Sequence, residues 1–107
     1  MEVKIKVVVF EHPESKKVCC ACRDICLFTS NENQDSALND VKNTLLVYLQ
    51  DKKLARLQKI GWKICDKSII LPNFAEKELV KYASDFFGVK ITNYQIIEIY
   101  EKTELGD

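Results

Sequence analysis

The stretch that decides the fold is Ser36–Leu49, SALNDVKNTLLVYL. Its apolar residues recur at intervals of three and four, the spacing that places side chains on one face of an α-helix. These residues are Ala37, Leu38, Val41, Leu45, Tyr48 and Leu49. The preceding run, 30–35, is rich in side chains that cap a first helical turn. The sequence therefore predicts an amphipathic helix, which needs an apolar sheet to pack on.

Three strands are predicted before this helix. Glu2–Glu11 alternates as a strand with one buried face does. Val3, Ile5, Val7 and Val9 form the predicted buried face, and Lys4, Lys6 and Val8 the other. A turn at His12–Ser15 leads to a second strand over 16–22, so these two strands form an antiparallel hairpin. Arg23-Asp24-Ile25 then connects to a short third strand over 26–30.

The second half continues with short elements. The helical pattern extends through Leu54, Leu57 and Ile60 to Gly61, with a break expected near Asp51. Residues 62–71 suggest a hairpin or a bent strand. A second amphipathic helix is predicted over 76–87, and a last strand over 91–101. The apolar stripe of this second helix consists of Leu79, Val80, Ala83, Phe86 and Phe87.

These elements predict a single α+β domain over 1–107. Its core, 1–50, is a three-stranded antiparallel sheet backed by a helix. Residues 51–101 form a strand–helix–strand extension that packs on this core, and 102–107 form a loose tail.

Composition restricts the function. The chain carries 16 basic and 16 acidic residues, which counts against non-specific binding of nucleic acid. No apolar run approaches the roughly 20 residues that span a bilayer, and the start of the chain is too charged for a signal peptide, so we expect a cytoplasmic protein. The five cysteines, clustered and odd in number, are expected to be reduced.

The first half resembles the HicB-like family, the antitoxins of HicA–HicB toxin–antitoxin pairs. The resemblance covers roughly 3–50 and rests on the step Arg23-Asp24-Ile25, the short strand Cys26-Leu27-Phe28-Thr29 and the helix opening Gln34-Asp35-Ser36-Ala37-Leu38. Arg23 stands where the family pattern has a proline. The resemblance implies a partial RNase H-like sheet backed by a helix, without catalytic carboxylates.

The resemblance also implies a function. HicB-like proteins bind and silence a small RNA-cleaving toxin, and many carry a C-terminal DNA-binding module. Residues 51–107 do not supply such a module, so DNA binding is not supported. We therefore expect a non-enzymatic, dimer-forming antitoxin, since a small open sheet has unpaired edges that a second copy can cover. An orphan interaction domain with this fold is another possibility.

An enzyme is the alternative from a different class. Glu32 and the aspartates 24, 35 and 40 are candidates for an RNase H-like metal cluster, and His12 with Cys22 or Cys26 for a thiol hydrolase. The first strand offers no interior carboxylate. Helix capping explains the position of Asp35, and Asp40 is expected on the solvated face of the helix. His12 is expected at the surface of a turn.

The cysteines are candidates for a zinc site. Cys20 and Cys22 share a strand face and Cys19 points away, so packing in the core is favoured over zinc binding. We therefore expect no metal and no cofactor.

Two further groups are candidates for binding. The aromatic residues are expected in the core, with Trp62 anchoring the second half on the first; they are Trp62, Phe74, Tyr82, Phe86 and Phe87. The basic residues Lys52, Lys53, Arg56, Lys59 and Lys63 form the only local positive group in the sequence, and its default interpretation is a solvated face. The predicted partner-binding residues are Arg23, Asp24, Lys52, Lys53 and Arg56.

Overall fold

The fold is described by a computed structural model that covers residues 2–50, 54–65 and 68–102. The elements are β1 (Glu2–Glu11), β2 (Val18–Cys22), a 3-10 turn (Arg23–Ile25), β3 (Leu27–Asn31), α1 (Gln34–Tyr48), α2 (Leu54–Lys59), β4 (Lys63–Cys65), β5 (Ser68–Ile70), α3 (Glu76–Phe87) and β6 (Gln95–Lys102). This confirms the predicted α+β class. None of the described helices is both long and apolar enough to cross a membrane.

Helix α1 forms where the periodicity places it. Its N-cap is Asn33, whose side-chain oxygen accepts a hydrogen bond from the Ser36 N–H at 2.8 Å. The predicted capping role of Asp35 is therefore wrong, because Asp35 lies within the first turn. A carboxylate there still interacts favourably with the helix dipole. The predicted break near Asp51 lies outside the described residues.

The main sheet has four antiparallel strands in the order β3-β2-β1-β6. The predicted hairpin of the first two strands is confirmed, with Val8 opposite Ala21 and Glu11 opposite Val18. β4 and β5 form a separate antiparallel hairpin, one of the two alternatives predicted for 62–71.

One face of the sheet carries the larger apolar cluster. Ala37, Val41 and Leu45 of α1 are fully buried against the side chains of β1 and β2 that point to this face. These are Val3, Ile5, Val7, Val9, Cys20 and Cys22. Leu57 of α2 and Trp62 join the same cluster, so the predicted anchoring of the second half by Trp62 is confirmed.

The other face of the sheet is buried in part, which corrects the prediction that β1 has one buried face. Val8 and Phe10 are at most 5% exposed and pack with Leu79 and Ala83 of α3. Helix α3 has the predicted bounds and ends at Gly88, which adopts a left-handed φ of 66°. Helix α3 therefore covers part of the second face.

The predicted three-stranded sheet is also corrected by β6. This strand begins at Gln95, later than the predicted start at residue 91, and it pairs antiparallel with β1 along the whole of Glu2–Val9. Its Ile97 and Ile99 pack against the α1 cluster. The C-terminal segment thus supplies a fourth strand to the main sheet.

Candidate partner-binding surface

The 3-10 turn Arg23–Ile25 joins β2 to β3 and places two predicted site residues. Because the chain must reverse sharply before β3, Cys26 closes the turn in a left-handed conformation with φ 51°, and its N–H bonds the Arg23 carbonyl at 3.2 Å. Side chains other than glycine adopt this region rarely. The turn contacts the main sheet, Trp62 and α3.

Asp24 is the buried residue of the turn, at 6% exposure. Its Oδ2 accepts a hydrogen bond from the Lys6 N–H at 2.9 Å, and its backbone carbonyl accepts one from Trp62 Nε1 at 2.7 Å. Burial raises the pKa of the Asp24 carboxyl, and the Lys6 N–H and the charge of Lys6 oppose that rise. Asp24 therefore ties the turn to β1 and to the second half of the chain.

A cavity of about 270 Å³ opens beside Asp24. Its polar lining comes from Lys4, Lys6, Asp24 and Asn73, and its apolar lining from Leu71, Pro72, Phe74 and Leu79. Lys4 Nζ lies 3.2 Å from Glu98 Oε2 on β6. The hydrogen bond and the opposite charge of Glu98 raise the pKa of Lys4, while the hydrogen bonds from Tyr100 and Lys4 lower the pKa of Glu98.

Arg23 extends from the turn towards α3. Its guanidinium carbon lies 4.1 Å from the ring centroid of Phe74 and 5.5 Å from that of Tyr82. Its Nη1 lies 3.8 Å from Glu78 Oε2. These cation–π and ionic contacts hold the side chain over the start of α3 and leave it half-buried.

An aromatic patch follows Arg23 along α3; we define it as Phe28, Tyr82, Phe86 and Phe87. Phe28 of β3 stacks on Phe86, with ring centroids 3.6 Å apart and an angle of 5° between the ring planes. The ring centroid of Tyr82 lies 4.7 Å from that of Phe28. Phe86 remains 59% exposed. Among the described strands, β3 is the last on its side of the sheet, so this exposed aromatic surface adjoins a strand edge.

Of the five predicted site residues, three lie among the described residues, and the structure does not group them into one site. Arg23 and Asp24 are neighbours in the turn, although Asp24 is buried. Arg56 is exposed on α2 and its guanidinium carbon lies 5.7 Å from the Tyr48 ring of α1, on the opposite side of the sheet from Arg23. Lys52 and Lys53 lie outside the described residues.

Phe86 is the surface residue that sequence reasoning missed. The periodicity assigned it to the apolar stripe of α3, whose residues Leu79 and Ala83 are buried as predicted. Its exposure depends on how α3 packs against Phe28 of β3, and no local sequence signal encodes that long-range contact.

The predicted core packing is confirmed for three cysteines and is wrong for Cys26. Cys20 and Cys22 lie in the α1 cluster and Cys19 on the α3 side, all buried, while Cys26 is exposed. Burial raises the pKa of Cys20 to about 11 and also raises that of Cys22. Within 2–50, 54–65 and 68–102, no three His, Cys, Asp or Glu side chains are grouped to hold a metal ion.

His12 is oriented by backbone hydrogen bonds within its turn. Its Nδ1 accepts hydrogen bonds from the N–H groups of Glu14 and Ser15 at 3.2 and 3.4 Å, and the side chain is half-buried. It therefore shapes the turn before β2. Cys22 lies at the far end of that strand, about 13 Å further along at the usual rise per residue, so the two do not form a thiol–imidazole pair.

No protein-family model, curated protein or solved structure matches this chain.

Proposed function

We propose that this chain is a non-catalytic binding protein of HicB-like type, which captures a small RNA-cleaving protein on the aromatic patch. The observation that carries this proposal is Phe86, a large aromatic side chain that is 59% exposed and stacked on Phe28 beside a strand edge. Aromatic residues and arginine are enriched at protein interfaces and dominate their binding energy. Arg23 lies next to the patch, in contact with Tyr82.

The arrangement of the first half supports the HicB-like interpretation. The resemblance requires that the apolar side of the central helix covers a hairpin of the first two strands. Val41 and Leu45 are fully buried in the cluster that includes Ile5 and Cys20. A short turn and a third strand precede the helix, in the order that the resemblance implies.

The alternative of a hydrolase has less support in the described residues. A thiol nucleophile requires an accessible thiolate, and burial disfavours the thiolate of Cys22. Cys26 is exposed, but it follows the turn at the end of β2 that lies far from His12, so the two do not form a thiol–imidazole pair. Of the proposed carboxylates, Asp24 bonds the Lys6 N–H, and Asp40 accepts a hydrogen bond from Asn31 Nδ2 at 2.8 Å. Both groups have structural partners that explain their positions.

The proposal is tested by co-expressing this chain with the protein encoded by the neighbouring reading frame. We expect a complex on size exclusion and inhibition of that protein's RNA cleavage. Phe86→Ser removes the exposed ring, and loss of a central aromatic contact costs about 2 kcal/mol, or roughly thirtyfold in Kd. Isothermal titration calorimetry measures this change.

Val47→Ser is the matched control, because Val47 is an exposed apolar residue, at 45%, on α1 and away from the patch. It is expected to bind like the wild type. Absence of a complex with the wild type, or equal weakening by both substitutions, would contradict the proposal. Circular dichroism of both variants verifies that they are folded.

A further inference from the structure

Strand β6 presents the second edge of the main sheet. In the order β3-β2-β1-β6 it pairs only with β1 among the described strands. Its eight residues, QIIEIYEK, make it longer than β3, the other edge strand. Unpaired N–H and C=O groups along such an edge form a template for another strand. This edge lies at the opposite side of the sheet from β3 and the aromatic patch, so a partner on β6 leaves the patch accessible.

A twofold axis restricts how two copies of β6 can pair. In an antiparallel pair, residues directly opposite each other lie on the same face of the sheet. The pairing is also self-complementary, so the twofold axis lies between the two strands. It passes either between a residue and its own copy, or midway between two successive residue pairs. The same-face condition leaves only registers in which a residue of β6 faces its own copy.

The charges of β6 select among these registers. With Tyr100 opposite its copy, Glu98 faces Lys102 of the second chain twice, which gives two opposite-charge pairs. With Glu98 or Glu101 at the centre, identical carboxylates face each other. With Ile97 or Ile99 at the centre, the described residues of β6 form no opposite-charge pair.

The existing contacts of Glu98 leave room for this pair. Its Oε2 is engaged by Lys4 Nζ at 3.2 Å and by the Tyr100 hydroxyl at 2.8 Å. Its Oε1 has no hydrogen bond or ion pair to any described residue, and its side chain is 40% exposed. Tyr100 is 53% exposed, and Lys102 is also exposed.

We propose that a second copy of this chain docks antiparallel on β6, with Tyr100 facing its own copy and Glu98 paired with Lys102 across the axis. The two four-stranded sheets become one sheet of eight strands. The dimer leaves β3 and the aromatic patch free on each copy, so each copy keeps its partner-binding surface.

A charge-exchange experiment tests the register. Glu98→Lys places lysines opposite each other in the homodimer, and Lys102→Glu places glutamates opposite each other, so each variant alone is expected to be monomeric in sedimentation equilibrium. An equimolar mixture restores both opposite-charge pairs and is expected to form a heterodimer. We expect each single variant to weaken self-association at least tenfold relative to the wild type.

Cross-linking gives a second measurement. In a Cys26→Ser background, Tyr100→Cys places two thiols opposite each other within the span of a disulfide, so oxidation is expected to yield a covalent dimer. Glu98→Cys is the control on the same face of the sheet. In the proposed register position 98 faces position 102 of the second chain, so the two thiols introduced at position 98 are four residues apart and this variant is expected to stay monomeric on a non-reducing gel.

Three results would overturn the proposal: a monomeric wild type at several hundred micromolar, a dimer that persists in both charge variants, or a mixture that stays monomeric. Preferential cross-linking at position 98 would overturn the register. Circular dichroism of each variant verifies the fold, and partner binding by these variants is expected to be unchanged.

Discussion

The face of the main sheet under α1 and the face under α3 are covered to different extents. On the first face, α1, Leu57 of α2 and Trp62 complete one continuous buried cluster. On the second face, α3 covers the half of β1 that contains Val8 and Phe10. Lys4 and Lys6, on the remaining half, line an open cavity.

This difference separates stability from binding. The first face buries the larger apolar cluster, and apolar burial is the main favourable contribution to folding. The second face carries the exposed surface of Phe86, the cavity and the charged pair of Lys4 and Glu98. We therefore expect substitutions on the first face to change the unfolding free energy most, and those on the second face to change binding.

The largest expected effect compares two buried leucines. Leu45→Ala opens a cavity in a fully enclosed cluster and is expected to cost about 3 kcal/mol of unfolding free energy. Leu79 borders the existing cavity, which can admit solvent. Leu79→Ala is therefore expected to lower the unfolding free energy by less, about 2 kcal/mol. Urea denaturation measures both values. An equal or larger cost for Leu79→Ala would show that the two faces contribute alike.

A smaller effect is expected for the bond between the turn and the first face. Trp62→Phe keeps an aromatic ring but removes the indole N–H that bonds the Asp24 carbonyl at 2.7 Å. A buried carbonyl left without its donor costs about 1–2 kcal/mol. Thermal and urea unfolding measure the loss, and an unchanged unfolding free energy would mean that this bond contributes nothing to stability.

The smallest effect concerns the charge of Asp24. Asn at this position keeps an oxygen to accept the Lys6 N–H bond and removes a buried carboxylate. Because burial raises the pKa of Asp24 in the folded state, its contribution to stability is fully present below the ordinary pKa of 3.8 and is lost as pH rises through the raised value.

Asp24→Asn is therefore expected to gain stability relative to the wild type as pH increases over that interval, and to hold the gain above it. Urea unfolding of both proteins at a series of pH values measures the difference. A difference that is constant with pH, or that shifts in favour of the wild type as pH rises, would contradict the raised pKa.

The elements that sequence reasoning placed well are those with a local signal. The four-residue spacing of Ala37, Val41 and Leu45 predicts α1, and Gly88 predicts the end of α3. The alternation of β1 and the turn after His12 determined the hairpin. Each of these signals depends on residues close in sequence, so a single sequence is sufficient to recognise them.

The features that were missed depend on residues far apart. The run Val7-Val8-Val9-Phe10 is continuous and apolar, a pattern typical of a strand buried on both faces. The alternation of the strand alone predicts Val8 on the polar face, which is wrong. The pairing of β6 with β1 is long-range, and no local pattern in 91–101 specifies its partner strand. The candidate surface shows the same division: Arg23, which the sequence singles out, lies beside the aromatic patch, whereas the exposure of Phe86 depends on packing.

Trp62 has one more consequence, because it is the single tryptophan of the chain. Its indole is 2% exposed and touches the turn that carries Arg23. The tryptophan fluorescence of the native protein therefore comes from one buried, hydrogen-bonded indole, and we expect its emission maximum to be blue-shifted relative to free tryptophan. A ligand that moves the turn changes that emission, so the chain contains its own optical reporter and needs no added dye.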